Sequence, residues 1–135
     1  MDPMKVEIHQ SAVSTSEARI RQHKVLIDRP VAKGGEDKGA MGGELFLASV
    51  GGCFMSNLLA AIKARGAAIT GAKAEVTGIL LESPARFASI NINVSAKYAD
   101  RAEFEKLVEI AERGCVMVNT LLGKLELTVQ IGDAE

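Results

Sequence analysis

Cysteine and histidine are scarce in this chain, with two of each in 135 residues. So few cysteines do not make the disulfide framework of a small secreted domain. His9 and His23 stand far in sequence from either cysteine, and neither a Cys-x-x-Cys nor a His-x-x-x-His spacing occurs, so no metal site or cofactor is expected. An excess of one charge is also missing. Sixteen basic side chains face seventeen acidic ones, giving a net charge of −1 and a pI of about 6.1, so no overall positive field favours nucleic acid or an anionic membrane surface. No low-complexity tract or solenoid-period repeat interrupts the sequence. The start, MDPMKVEIHQ, lacks the basic residues and apolar stretch of a signal peptide, and a reducing cytoplasm is the expected location. The length suits one domain over residues 1–135.

Against these absences stands one long apolar run. From about Glu44 to Arg65 the residues Leu45, Phe46, Leu47, Val50, Phe54, Met55, Leu58, Leu59 and Ile62 leave a helix with no polar face, which predicts a central helix rather than a surface one. The run is long enough to raise the question of a membrane span. Ser49, Gly51, Gly52, Ser56 and Asn57 dilute it, and a buried helix of a soluble domain is the reading adopted. Cys53 lies halfway along. Gly51-Gly52 beside it costs roughly 1 kcal/mol per glycine relative to alanine, which implies a kink or the close approach of another backbone, and Gly66 takes the usual helix-stop position.

The rest of the chain alternates. Val6 and Ile8, then a run from Ile20 to Ile27 after the turn-like Ser14-Thr15-Ser16-Glu17, predict an N-terminal antiparallel meander ending at Arg29-Pro30. Residues 33–43 are a glycine-rich connection, expected to be flexible; it lacks the Lys-Ser/Thr ending of a phosphate loop. Two strands over about 72–81 and 87–97 flank the turn Glu82-Ser83-Pro84-Ala85. Asp100 and Glu103 have capping-box spacing before a helix whose apolar face is Phe104, Leu107, Val108 and Ala111, stopping at Gly114. A short helical piece from Cys115 to Leu122 precedes a last strand carrying Leu125, Leu127, Val129 and Ile131. This order defines an α+β fold with mostly antiparallel pairing. An all-round apolar helix in so small a domain also points to a homodimer that covers it.

Two segments carry a family resemblance. Gly34-Gly35-Glu36-Asp37-Lys38-Gly39 followed by Glu44-Leu45-Phe46-Leu47-Ala48-Ser49-Val50-Gly51-Gly52-Cys53 resembles the OsmC/Ohr signature, in which GGxxxG and ELLLAALGSC-like segments lead to the first cysteine. Ala111-Glu112-Arg113-Gly114-Cys115 resembles the same family's second cysteine after its second long helix. The resemblance implies an OsmC-like fold, an intertwined homodimer whose sheets wrap central helices, with active sites at the subunit interface. It also implies a thiol-dependent peroxidase in which Cys53 attacks an organic hydroperoxide, Cys115 resolves the sulfenic acid as a disulfide, and a dithiol such as a lipoyl group reduces the pair. The family's arginine from the N-terminal strands, held by a glutamate at the start of the cysteine helix, corresponds to Arg19 or Arg21 and to Glu44. The two arginines are expected on one face of a strand. In the best-known peroxidase branch the glutamate sits one position earlier, where this chain has Gly43, and Val116 stands where a proline usually follows the second cysteine. The alternative is a non-catalytic OsmC-like dimer that binds a small apolar molecule or serves a stress role, Cys53 being then a core thiol.

Overall fold

A computed structural model of the chain describes residues 2–123 and 125–132. They form two compact units, Met1–Ala48 and Ser49–Glu135.

The first unit is an antiparallel meander of β1 (Glu7–Gln10), β2 (Ser16–Ile20) and β3 (His23–Ile27), in that order. The run read as one strand over 20–27 is in fact broken by a two-residue turn at Arg21-Gln22, and Ile20 pairs with His23. Arg21 adopts a left-handed backbone there, with φ at 53°. Past β3, the glycine-rich connection is far from loose. The buried Asp28 carboxylate accepts the Thr15 hydroxyl at 2.8 Å and the backbone N–H groups of Arg29, Glu36 and Lys38 at 2.7, 3.3 and 3.2 Å. Asp28 N–H in turn donates to the Ala40 carbonyl at 3.1 Å. Burial pushes its carboxyl up, but the Thr15 hydroxyl and the backbone donors outweigh that and hold it well below the usual carboxylate range. A Cβ at Gly35 would overlap the Arg29 carbonyl and one at Gly39 the Leu26 carbonyl, so both glycines are required by backbone crossing backbone. The expectation of a flexible connection is therefore corrected: a single carboxylate stitches it shut.

Helix α1 runs Gly42–Arg65. Met41 precedes it, and its N–H donates to Glu44 Oε1 at 2.9 Å, the returning half of a capping box. At the other end Gly66 is left-handed at φ 56°, with Gly66 N–H on the Lys63 carbonyl and Ala67 N–H on the Ile62 carbonyl, a Schellman closure. Although apolar all round, α1 buries one stripe, Val50, Gly51, Phe54, Leu58 and Ala61. Leu59 is 51% exposed, and 28% of the most apolar 18-residue window lies buried. The central position expected of this helix is thus not reached within one chain.

In the second unit β4 (Thr70–Leu81) and β5 (Arg86–Lys97) make a long hairpin. Ala74, Val76 and Gly78 pair with Val94, Ile92 and Ile90, which puts the apolar residues of both strands on one face. Gly51 of α1 meets that face: a Cβ there would stand 2.6 Å from Val76 Cγ2. Gly52 has open space, so only the first glycine of the pair is a packing device. Helix α2 (Arg101–Arg113) starts where Asp100 accepts the N–H groups of Ala102 and Glu103 at 3.0 and 3.3 Å. It buries Phe104, Leu107 and Ala111 against Phe54, Leu58, Ala61, Ile69 and Cys115. Leu58 and Leu107 are fully buried, each contributing roughly 1.5–3 kcal/mol by apolar transfer. Helix α3 (Val116–Leu122) follows at once.

The last expected strand does not form. Residues 125–132 have no regular structure, and Leu125, Leu127, Val129 and Ile131 are 71–100% exposed. The alternation is real, but none of the described strands pairs with the segment, and a strand without a partner has no ladder to hold it.

Asp28→Asn should lower the melting temperature with the meander sequence otherwise intact, because an amide cannot accept four donors as an anion does. The carboxyl is depressed in the folded state, so its contribution is complete above the unfolded-state value of about 3.9 and fades as pH falls below it. Melting curves of wild type and variant should therefore differ by a constant amount near neutrality and converge in acid. A gap that persists unchanged in strong acid would refute the role.

Candidate functional site

Both cysteines are unpaired by disulfide; Cys53 is half-buried and Cys115 fully buried. Cys53 sits in the middle of α1 on the flank of the stripe that packs into the core, and Cys115 is the N-cap of α3 at the elbow left by Gly114. Helix α2 ends tightly: Gly114 N–H bonds the Ile110 carbonyl and Cys115 N–H the Glu112 carbonyl, both at 3.2 Å. The elbow is then fixed by Asn119, whose Nδ2 donates to the Arg113 carbonyl at 3.1 Å while its own N–H bonds the Cys115 carbonyl at 3.0 Å.

This geometry turns the start of α3 toward sulfur. The first N–H groups of any helix have no carbonyl four residues back. The nearby Met117 N–H favours the Cys53 thiolate, burial opposes the charge, and the Cys115 thiol and Val116 N–H favour it as well; the balance shifts Cys53 below the ordinary thiol range. Cys115 goes the other way. Burial pushes its thiol up, the Val118 and Met117 N–H groups pull it down, and the neighbouring Cys53 pushes it up further. Two chemically identical groups are thereby set apart, the half-buried Cys53 thiol shifted below the ordinary range and the sealed Cys115 thiol above it.

The other expected residues lie in the first unit. Arg19 is on β2, where its Nε donates to Glu17 Oε1 at 3.0 Å. Arg21 is in the β2–β3 turn. The expectation that they share a strand face is corrected by that turn. Glu44 is in the first turn of α1, with Oε1 on the Met41 N–H. Among the described residues no three His, Cys, Asp or Glu side chains gather as a metal-binding group. The role of Asn119, whose side chain ties the elbow to the Arg113 carbonyl, was not singled out from the sequence.

A second feature lies between β5 and α2. A groove of about 490 Å³ is lined by Ile92, Val94, Ala96, Tyr98, Phe104 and Val108. Tyr98 stacks on Phe104 with ring centroids 4.8 Å apart, and Arg101 at the rim is ion-paired with Glu105 at 2.7 Å.

With this arrangement established, comparison with known proteins is informative. Residues 35–130 match the family of OsmC-like proteins, and the chain belongs to that family. Its fold is that of solved relatives: an OsmC-like protein from Mycoplasma pneumoniae has a TM-score of 0.78 at 18% identity, over 90% of this chain and 89% of that one. The organic hydroperoxide resistance protein OhrB of Bacillus subtilis has a TM-score of 0.61 at 24% identity, covering 88% and 90%. An organic hydroperoxide resistance protein from Elizabethkingia anophelis has a TM-score of 0.61 at 20% identity, covering 93% of each chain. No curated protein matches the sequence. The α+β, antiparallel character expected from the sequence is that of these relatives.

In reduced protein, alkylation should reach Cys53 first, with a pH midpoint below the free-thiol value of about 8.5, and Cys115 only on unfolding. Mass-mapped alkylation across pH checks this; equal labelling of both thiols with ordinary midpoints would refute it.

Proposed function

We propose that the chain is a two-cysteine reductase of organic hydroperoxides. The observation that carries this reading is the neighbouring pair of a half-buried Cys53, its thiol shifted below the ordinary range, and a fully buried Cys115, its thiol shifted above it. The Cys53 thiolate attacks the terminal peroxide oxygen; the S–O bond forms as the O–O bond breaks, and the departing alkoxide takes a proton to leave as alcohol. Cys53 is then a sulfenic acid. Cys115 attacks that sulfur, the S–S bond forms as S–O breaks, and hydroxide leaves with the Cys115 proton as water. An external dithiol, of lipoyl type, returns two electrons and regenerates both thiols. The apolar surroundings of Cys53, with Phe54, Met55 and Leu58 nearby in α1, suit an alkyl substrate. Arg19 or Arg21, with Glu44, is assigned the family's role of guiding the peroxide. The relatives named for organic hydroperoxide resistance support a place for this chain in peroxide stress.

A homodimer completes the site on this reading. It is supported by the apolar sides of α1 left open within one chain and by the exposed alternation of Leu125, Leu127, Val129 and Ile131. The proposed setting is a reducing cytoplasm, without nucleic acid or membrane partners. The groove beside Tyr98 and Phe104 favours a second reading, a dimer that binds a small apolar molecule without turning it over.

Two measurements separate the readings. Hydroperoxide consumption with a dithiol should vanish in Cys53→Ser, whereas Cys115→Ser should still be oxidised once, to a trappable sulfenic acid, without turning over; equal rates in wild type and Cys53→Ser would leave only the binding reading. Light scattering should give twice the chain mass, and replacing Leu127 and Val129 by Asp should shift it toward one. A wild type that is monomeric at micromolar concentration would remove the dimer.

A further inference from the structure

We propose that the Asn57 amide is the polar anchor of the thiol site, the group that binds the O–O–H end of a hydroperoxide beside Cys53. The assignment rests on the peroxidase reading and names the side chain by which the site tells a hydroperoxide from other electrophiles.

The position of the amide carries the inference. Asn57 lies on α1 one helical turn beyond Cys53, so the two share a face. Helical side chains lean toward the N-terminus, which lays the amide over the turn that bears the sulfur. On its other side the amide meets the α2–α3 elbow: a Cβ at Gly114 would lie 3.8 Å from Asn57 Nδ2, and Gly114 is the residue immediately before Cys115. Asn57 thus stands between the two chain segments that carry the thiols, beside a core cluster that includes Cys115 and has Cys53 packed against it.

Local structure gives no reason for an amide at this place. Between Leu45 and Ile62 it is the one amide side chain of α1, and asparagine is a poor residue for a helix interior. The residue is half-buried, with Phe54, Leu58 and Ala61 of the buried stripe around it on the helix. The elbow is held by a different amide, that of Asn119 on the Arg113 carbonyl at 3.1 Å. Among the described residues no hydrogen bond reaches the Asn57 side chain, which leaves its two donors and its acceptor for a ligand. The end of a hydroperoxide is the matching partner, because it offers one O–H donor and acceptor oxygens within a single bond of each other. Its alkyl part meets apolar neighbours instead, and in such surroundings a hydrogen bond is stronger than in water.

The test uses the reduced full chain and two reagents for the same thiol, cumene hydroperoxide and iodoacetamide, the second of which needs the thiolate but presents no O–O–H group. Asn57→Leu keeps the size of the side chain and removes donor and acceptor; Asn57→Gln keeps the amide. Two hydrogen bonds of ordinary strength are worth about tenfold or more. Asn57→Leu should therefore slow oxidation of Cys53 by the hydroperoxide about tenfold while its alkylation by iodoacetamide stays at the wild-type rate, and Asn57→Gln should recover most of the loss. Oxidation of Asn57→Leu at the wild-type rate would overturn the assignment, and so would a loss shared equally by oxidation and alkylation, which marks an effect on the thiol or its packing. Should Asn57→Leu fail to fold, Asn57→Ala is read by the same two rates. A wild type that consumes hydroperoxide beside an unimpaired Asn57→Leu removes the anchor alone, whereas a wild type whose Cys53 does not react with hydroperoxide removes the peroxidase reading and the anchor with it.

Discussion

The tight elbow between α2 and α3 is the constraint on which the rest of the site depends. Gly114 N–H returns to the Ile110 carbonyl, Cys115 N–H to the Glu112 carbonyl and Asn119 Nδ2 to the Arg113 carbonyl, so α2 ends abruptly and α3 starts at once from a fully buried Cys115. That placement sets Cys115 beside Cys53 of α1, and the two thiols shift in opposite directions, Cys53 below its ordinary range and Cys115 above it. The asymmetry between two identical groups thus follows from how one helix ends and the next begins.

The first unit fixes its connecting segment with a carboxylate. Asp28 accepts three N–H groups and a hydroxyl in a buried pocket, and it does so for a segment whose regular structure is a single 3-10 turn, Val31–Lys33. An anion is stable there because the donors surround it, whereas an isolated buried carboxylate would protonate instead. The glycines of this segment serve that closure, since two of the positions lie directly against carbonyl oxygens.

Periodicity made much of this legible. The apolar residues of β4 and β5 alternate and do share a face, Asp100 caps α2, and Gly66 and Gly114 end their helices, because each of these is a local rule with a local signal. The motifs around Cys53 and Gly114-Cys115 pointed to the family that the chain belongs to. What was not legible was contact at long range. Nothing in the sequence around Asp28 says that its carboxylate takes donors from Thr15, thirteen residues back, and from Lys38, ten ahead. The tail shows the opposite failure: Leu125 to Ile131 has the pattern of a strand, but the pattern records a preference for an edge and not where the edge comes from. Arg21 was misplaced for a simpler reason, since Arg21-Gln22 has none of the glycine or asparagine that usually announces a tight hairpin turn.

The complete burial of Cys115 carries one more consequence for the proposed cycle. Once the two sulfurs are joined, a reductant arriving from solvent can touch only the one on α1, so the transient link to an outside carrier forms there and the sealed sulfur is always the one expelled. The cycle then runs with a fixed polarity, entering and leaving through a single atom, and irreversible damage by excess oxidant concentrates on that atom while its partner is spared.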